Sequence, residues 1–136
     1  AFSVALLIGA AHAGRLDETE DTLVAFSEAI GIAYQIKDDL DDRAEDNAVT
    51  PSGAPARPNI LEATARERFN GSLPDAAEPV IMLLERYKEQ AIRSLQDLDN
   101  PNLKGLLRRI VGRMFSELEI KGWCREQEVK NGIAAA

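Results

Sequence analysis

The chain has very few of the residues from which disulfide networks and transition-metal sites are built. Its 136 residues include one cysteine and one histidine. A single cysteine excludes an internal disulfide framework and a cysteine-based zinc cluster. A single histidine excludes a histidine-rich metal site, and it leaves His12 as the one possible base for Ser-His-Asp chemistry.

Basic residues are outnumbered, with 16 lysines and arginines against 23 aspartates and glutamates and a formal net charge of -7. Nucleic-acid binding depends on neutralising phosphates with lysine and arginine, so we do not expect nucleic acid as the main partner. No apolar run reaches the roughly 20 residues that cross a bilayer, so we expect no membrane span. With a lone cysteine, these features predict a cytoplasmic protein.

The spacing of apolar residues predicts an all-α helical bundle with one substantial loop. No period-two strand pattern stands out. Helices are predicted over about 2–13, 17–45, 59–69, 74–98 and 101–128. The first of them is apolar, ends near Gly14, and is expected to be a buried helix of a larger bundle. Three of the six prolines are close together, which predicts a loop at about 47–58. Asn100 and Pro101 are typical of the N-cap and first residue of a helix.

The negative charge is concentrated in the second predicted helix. Between Asp17 and Asp46 lie 11 acidic and 2 basic residues, so nearly all of the negative excess belongs to this stretch. Blocks of like charge are either exposed to solvent or matched by bound cations. For an ordinary pair of acids on a helix, exposure to solvent is the usual explanation.

Three aspartates of this helix, Asp38, Asp39 and Asp42, are predicted to share one face. The opposite face is predicted to be apolar, with Ala25, Ala29, Ile32, Ile36 and Leu40. Mg²⁺ removes the repulsion between carboxylates one turn apart, and it commonly bridges one or two of them to substrate phosphates. Gly31 and Gln35 on the acidic face favour a binding site, because a solvated face needs neither a helix-weakening glycine nor an amide.

The sequence GIAYQIKDDLDD at 31–42 resembles the second aspartate-rich motif of the trans-polyprenyl synthetases, or isoprenyl diphosphate synthases. That motif reads G-x-x-[FY]-Q-[IL]-x-D-D-x-x-D, and every specified position matches. The small-residue helix before the motif and the stretch from Tyr87 to Asp99 are also similar to the family. The resemblance extends over about 1–118. It implies that 1–136 is the C-terminal part of a polyprenyl synthetase domain with the isoprenoid-synthase fold.

The resemblance implies a Mg²⁺-dependent prenyltransferase of isoprenoid biosynthesis, which condenses an allylic diphosphate with isopentenyl diphosphate head to tail. It implies three magnesium ligands, Asp38, Asp39 and Asp42, and two substrate-binding residues of the motif, Tyr34 and Gln35. Arg57 is a further substrate-binding candidate, because a guanidinium binds phosphate well and could substitute for lysines that the family usually has there; exposure to solvent is the usual state of an arginine in a proline-rich loop. The other metal motif would belong to an N-terminal half of the same protein. We therefore expect this chain alone to be inactive, with no catalytic residue of its own. We also expect it to form a homo-oligomer through apolar surface that the other half would cover.

The family usually has lysines near the diphosphates, but here no lysine occurs between Lys37 and Lys88. This departure favours an alternative function, a non-catalytic helical subunit or a regulatory interaction module on the same fold. A terpene cyclase is a third and weaker hypothesis, since the Asn/Ser/Glu metal motif typical of that class is not found in the sequence.

Overall fold

Helices dominate the computed structural model, which describes residues 2–46 and 59–115. They hold 88% of these residues, and no strand occurs among them. The predicted all-α helical bundle is therefore confirmed. None of the helices in these two ranges combines the length and the apolar character that crossing a membrane requires.

The described ranges contain five α-helices and one 3₁₀ turn: α1 (Phe2–His12), α2 (Leu16–Asp46), α3 (Ile60–Arg68), α4 (Leu73–Ser94), the 3₁₀ turn (Leu95–Asp97) and α5 (Pro101–Met114). The starts of α2, α3 and α5 fall within a residue of their predicted positions. The α-helical part of α4 ends earlier than predicted, because the chain tightens into the 3₁₀ turn. The predicted loop at 47–58 and the predicted extension of the last helix beyond 115 lie outside the described residues.

A glycine turn joins α1 to α2, as the sequence predicts. Gly14 adopts a φ of 68°, which glycine tolerates better than any other residue. The amide of Arg15 donates to the carbonyl of Ala10 at 2.9 Å, and the amide of Gly14 donates to Ala11 at 3.0 Å. This pair of bonds is the Schellman arrangement, which satisfies the last carbonyls of α1 with backbone donors alone.

The chain divides into two compact units, and the first ends at Leu98. In this unit α2 packs against α1, α3 and α4, and α3 also packs against α4. The fully buried large side chains of the unit come from α2, from α4 and from the residues just after it: Leu23, Phe26, Ile30, Val80, Leu84, Leu95 and Leu98. Each such side chain contributes about 1.5–3 kcal/mol when it is fully buried.

The apolar helix α1 differs from the other helices of this unit because none of its residues is buried. It contacts α2, yet Phe2, Val4 and Ile8 are 37%, 59% and 65% exposed. Within the described chain this helix is therefore not buried, and its burial in a larger bundle stays a prediction. In this chain α2 covers α1 from one side, whereas the large apolar residues of α1 are distributed around the whole helix.

The second unit begins at Asp99, and its described part consists of α5. The side-chain oxygen of Asn100 accepts from the amides of Asn102 and Leu103, each at 3.0 Å. Pro101 occupies the first turn, so the predicted N-cap and proline start are confirmed. Leu107, Val111 and Phe115 are buried and lie at four-residue intervals along one face.

Candidate cation-binding site on the acidic helix

The buried side of α2 determines which of its residues face outward. Ala29 and Ile36 are buried as predicted, but Ala25 and Ile32, which were predicted on the same apolar face, are exposed. The core instead takes in a neighbouring stripe of α2 that comprises Leu23, Phe26, Ile30 and Ala33. Leu23, Phe26 and Ile30 are large apolar side chains on one stripe, and burying them together turns Ala25 and Ile32 away from the core.

The exposed side of α2 carries most of the predicted site residues. Tyr34 is 44% exposed, Gln35 and Asp42 are exposed, and Asp38 is half-buried. Within the described part of the chain, neither Asp38 nor Asp42 makes a hydrogen bond or an ion pair through its side chain. These two carboxylates are one helical turn apart, on the side of α2 that the core leaves open.

Gly31 lies on this same open side. A Cβ atom added there would meet nothing within 4 Å. The glycine is thus not required by close packing inside the described chain. The added space above the helix backbone is compatible with the approach of a ligand, and equally with plain exposure to water.

Asp39 is in a different environment from Asp38 and Asp42. Its Oδ2 accepts a hydrogen bond from the backbone amide of Ile60 at 2.8 Å. Its backbone carbonyl accepts from Nδ2 of Asn59 at 2.7 Å. Gln35 points its amide nitrogen at Oδ1 of Asp39 from 3.4 Å, which is a long and weak contact. The second aspartate of the motif is therefore in contact with the start of α3.

The fourth aspartate of this stretch, Asp41, pairs with Lys37 one turn earlier on the helix. The lysine side chain is only 20% exposed, whereas that of Asp41 is 56% exposed. An ion pair of this kind on a helix surface contributes a few tenths of a kcal/mol, about 0.3–0.5. It reduces the local excess of negative charge without involving the three predicted magnesium ligands.

Among residues 2–46 and 59–115, no group of three or more histidine, cysteine, aspartate or glutamate side chains is arranged to hold a metal ion. A closed protein cage is not the usual way of binding Mg²⁺, which keeps several waters and takes one or two carboxylates plus phosphate oxygens. The oxygen donors of Asp38 and Asp42 have the chemistry that this ion prefers. The two carboxylates therefore fit Mg²⁺ in an open site, in which phosphate oxygens and waters would complete the coordination.

Arg57, the predicted substrate-binding arginine, lies outside the described residues. A lysine that the site prediction did not use is conspicuous instead. Lys88 is 5% exposed, and its Nζ is 2.9 and 3.1 Å from the two carboxylate oxygens of Glu85. The sequence pattern could have predicted this burial, because Lys88 continues the four-residue spacing of the buried residues Val80 and Leu84.

Comparison of the chain with family models, with curated proteins and with solved structures gives no significant match. The resemblance to the polyprenyl synthetases therefore stays a prediction from the motif at 31–42 and its flanking residues.

Proposed function

We propose that this chain is part of a Mg²⁺-dependent prenyltransferase of the polyprenyl synthetase type, with the exposed side of α2 as one half of its diphosphate site. The observation that carries the proposal is the placement of the motif residues. Tyr34, Gln35, Asp38 and Asp42 lie on the side of α2 that the core leaves open. An isoprenoid-synthase fold for the complete protein belongs to the same proposal.

Each motif residue is proposed to have the role that its side-chain chemistry allows. Asp38 and Asp42 would hold the cation, since their carboxylates make no hydrogen bond or ion pair in the described chain. Bound Mg²⁺ supplies Lewis-acid neutralisation of the diphosphate charge, which makes diphosphate a competent leaving group. Gln35 can donate and accept hydrogen bonds and, on this proposal, would orient a phosphate oxygen or a water. Tyr34 offers a hydroxyl and an aromatic surface beside it.

The chain alone is proposed to be inactive, because one acidic helix supplies only one side of a two-sided diphosphate site. The other side would come from an N-terminal half of the same cytoplasmic protein. The exposed apolar residues of α1 support a homo-oligomer of the isolated chain. Multi-angle light scattering tests this expectation: a species larger than one chain supports it, and a monomer at all concentrations contradicts it.

Calorimetric titration tests the site directly. The purified chain is titrated with inorganic pyrophosphate in the presence and absence of Mg²⁺, as the parent and as the variant Asp38→Ala. We expect Mg²⁺-dependent binding in the parent and a loss of about tenfold or more in the variant, the usual size of losing one charged contact.

The matched control is Asp21→Ala, because Asp21 is an exposed aspartate of the same helix far from the motif. It removes the same charge and is expected to bind like the parent. Equal affinity in the parent and in Asp38→Ala would remove Asp38 from the metal site. An equal loss in both variants would mean that the helix attracts cations only through its overall charge.

The second candidate function is a non-catalytic helical subunit. The absence of lysine between Lys37 and Lys88 favours it, because diphosphate binding normally needs cationic side chains as well as a metal. Binding of Mg²⁺ that does not improve with pyrophosphate would support this alternative.

A further inference from the structure

The first three backbone amides of α3 are all satisfied by two side chains. Oδ2 of Asp39 accepts from Ile60 at 2.8 Å. Oδ1 of Asn59 accepts from Leu61 at 2.9 Å and from Glu62 at 3.4 Å. These amides have no partner inside a helix and must find one elsewhere. At α3 one partner comes from the N-cap residue itself, and the other comes from a different helix.

Asn59 also ties the two helices together through its other side-chain atom. While Oδ1 caps α3, Nδ2 donates to the backbone carbonyl of Asp39 at 2.7 Å. The two residues thus form a reciprocal pair, which we call the α2–α3 clasp: Asn59 donates to the backbone of Asp39, and the side chain of Asp39 accepts from Ile60 directly after Asn59. Both contacts are part-buried.

The charge of Asp39 suits this position. The N-terminus of a helix carries a partial positive charge, and a carboxylate there makes a charge-assisted hydrogen bond. Asp38, which precedes it, makes no hydrogen bond with α3 in the described chain. The two adjacent aspartates therefore differ in what they can do.

We propose that Asp39 is a positioning residue, which fastens the start of α3 to the acidic part of α2 and whose carboxylate is occupied by this contact rather than by a cation. Because α3 packs against α4 and buries Leu61 and Ala65, the clasp also fixes the acidic part of α2 relative to α4. The structural part of this inference is independent of the proposed function. Its consequence for cation binding rests on that function.

Amide hydrogen exchange of the full chain, followed by NMR, tests the clasp. In Asp39→Ala the amide of Ile60 is expected to exchange about tenfold faster relative to that of Leu84, which lies in the core and reports global unfolding. Asp38→Ala removes the same charge one residue away and is the matched control, for which we expect a change within about twofold. Asp39→Asn keeps an acceptor oxygen and should recover part of the protection.

Two results would overturn the structural part. One is equal acceleration in Asp39→Ala and Asp38→Ala, which would make the effect one of general charge. The other is an unchanged Ile60 amide in Asp39→Ala, which would mean that the clasp does not hold the helix start. The partial rescue by Asp39→Asn separates loss of an acceptor from loss of packing.

Adding Mg²⁺ with inorganic pyrophosphate to the parent chain tests the consequence for cation binding. If these ligands bind and Ile60 stays protected, Asp39 keeps its contact with α3 while the cation is bound, as proposed. If they bind and Ile60 accelerates to the rate of Asp39→Ala, the cation displaces the clasp and the proposal is wrong. If they do not bind, the proposed function fails, and the exchange of the variants still decides whether the clasp exists.

Discussion

The two ends of α2 are held in place by different kinds of interaction. In its N-terminal half, Leu23, Phe26 and Ile30 are almost completely buried in an apolar core. In its C-terminal half, among the described side chains, Ala33 and Ile36 are buried, Asp42 is exposed, Asp38 is half-buried, and Asp39 contacts the start of α3 through a hydrogen bond. The N-terminal half is thus held mainly by the burial of large side chains, and the C-terminal half by fewer buried side chains together with a directed polar contact.

This difference shows why the motif can be polar without destabilising the fold. Hydrophobic burial stabilises the folded chain more than surface polar contacts do, and the largest buried side chains of α2, Leu23, Phe26 and Ile30, lie in its N-terminal half. The acidic part can then contact a neighbouring helix, as Asp39 does, or bind the proposed cation. Substitutions at the two ends should differ in size, and substitutions in the acidic part should act locally.

The largest effect is expected for Phe26→Ala at the apolar end. Phe26 is fully buried, and truncating a buried phenylalanine costs about 3–5 kcal/mol of unfolding free energy. Urea unfolding followed by circular dichroism measures the loss. Ile32→Ala on the same helix is the control, because Ile32 is 43% exposed, and it should cost less than about 1 kcal/mol. Similar losses in both variants would contradict the assignment of the buried face.

An intermediate effect is expected for Asn59→Ala, which removes the side chain that caps α3 and contacts α2. Loss of an N-cap costs about 0.5–2 kcal/mol, and the lost bond to the Asp39 carbonyl places this variant in the upper part of that range. Thermal unfolding measures it. Asn102→Ala on the exposed surface of α5 is the control. If Asn102→Ala lowers the unfolding free energy as much as Asn59→Ala does, the cap of α3 is unimportant for stability.

The smallest effect, of opposite sign, is expected for Ser27→Ala in the buried half of α2. The Ser27 hydroxyl is buried and has no hydrogen-bond partner in the described part of the chain. Removing an unsatisfied polar group should stabilise the protein by up to about 1 kcal/mol. Ser94→Ala provides the comparison, because the Ser94 hydroxyl donates to the Ala91 carbonyl at 2.7 Å. Destabilisation by Ser27→Ala would indicate that its hydroxyl finds a partner.

Local signals predicted much of the fold. The helix starts near Leu16 and at Pro101, and the turn at Gly14, follow from charge placement, capping residues and backbone preferences within a few neighbouring positions. The end of α4 was less predictable. Its apolar spacing continues to Leu95 and Leu98 even though the chain there has left the α-helical form.

The contacts of the site were not predictable in the same way. The hydrogen bond between Asp39 and Ile60 joins residues 21 positions apart, and it depends on how α3 lies against α2. A helical wheel places Asp38 and Asp39 about 100° apart on one broad acidic face, but it does not show what either carboxylate contacts. Only the tertiary arrangement distinguishes a carboxylate open to a ligand from one that contacts another helix.

The length of α2 couples its two ends mechanically. With 31 residues, the helix is about 46 Å long. A tilt of roughly 5° about its midpoint would move either end by roughly 2 Å, a distance comparable to a magnesium–oxygen bond. Small changes in side-chain volume around Phe26 can therefore shift the aspartates without touching them, and this gives distant core substitutions a way to alter affinity at the proposed cation site.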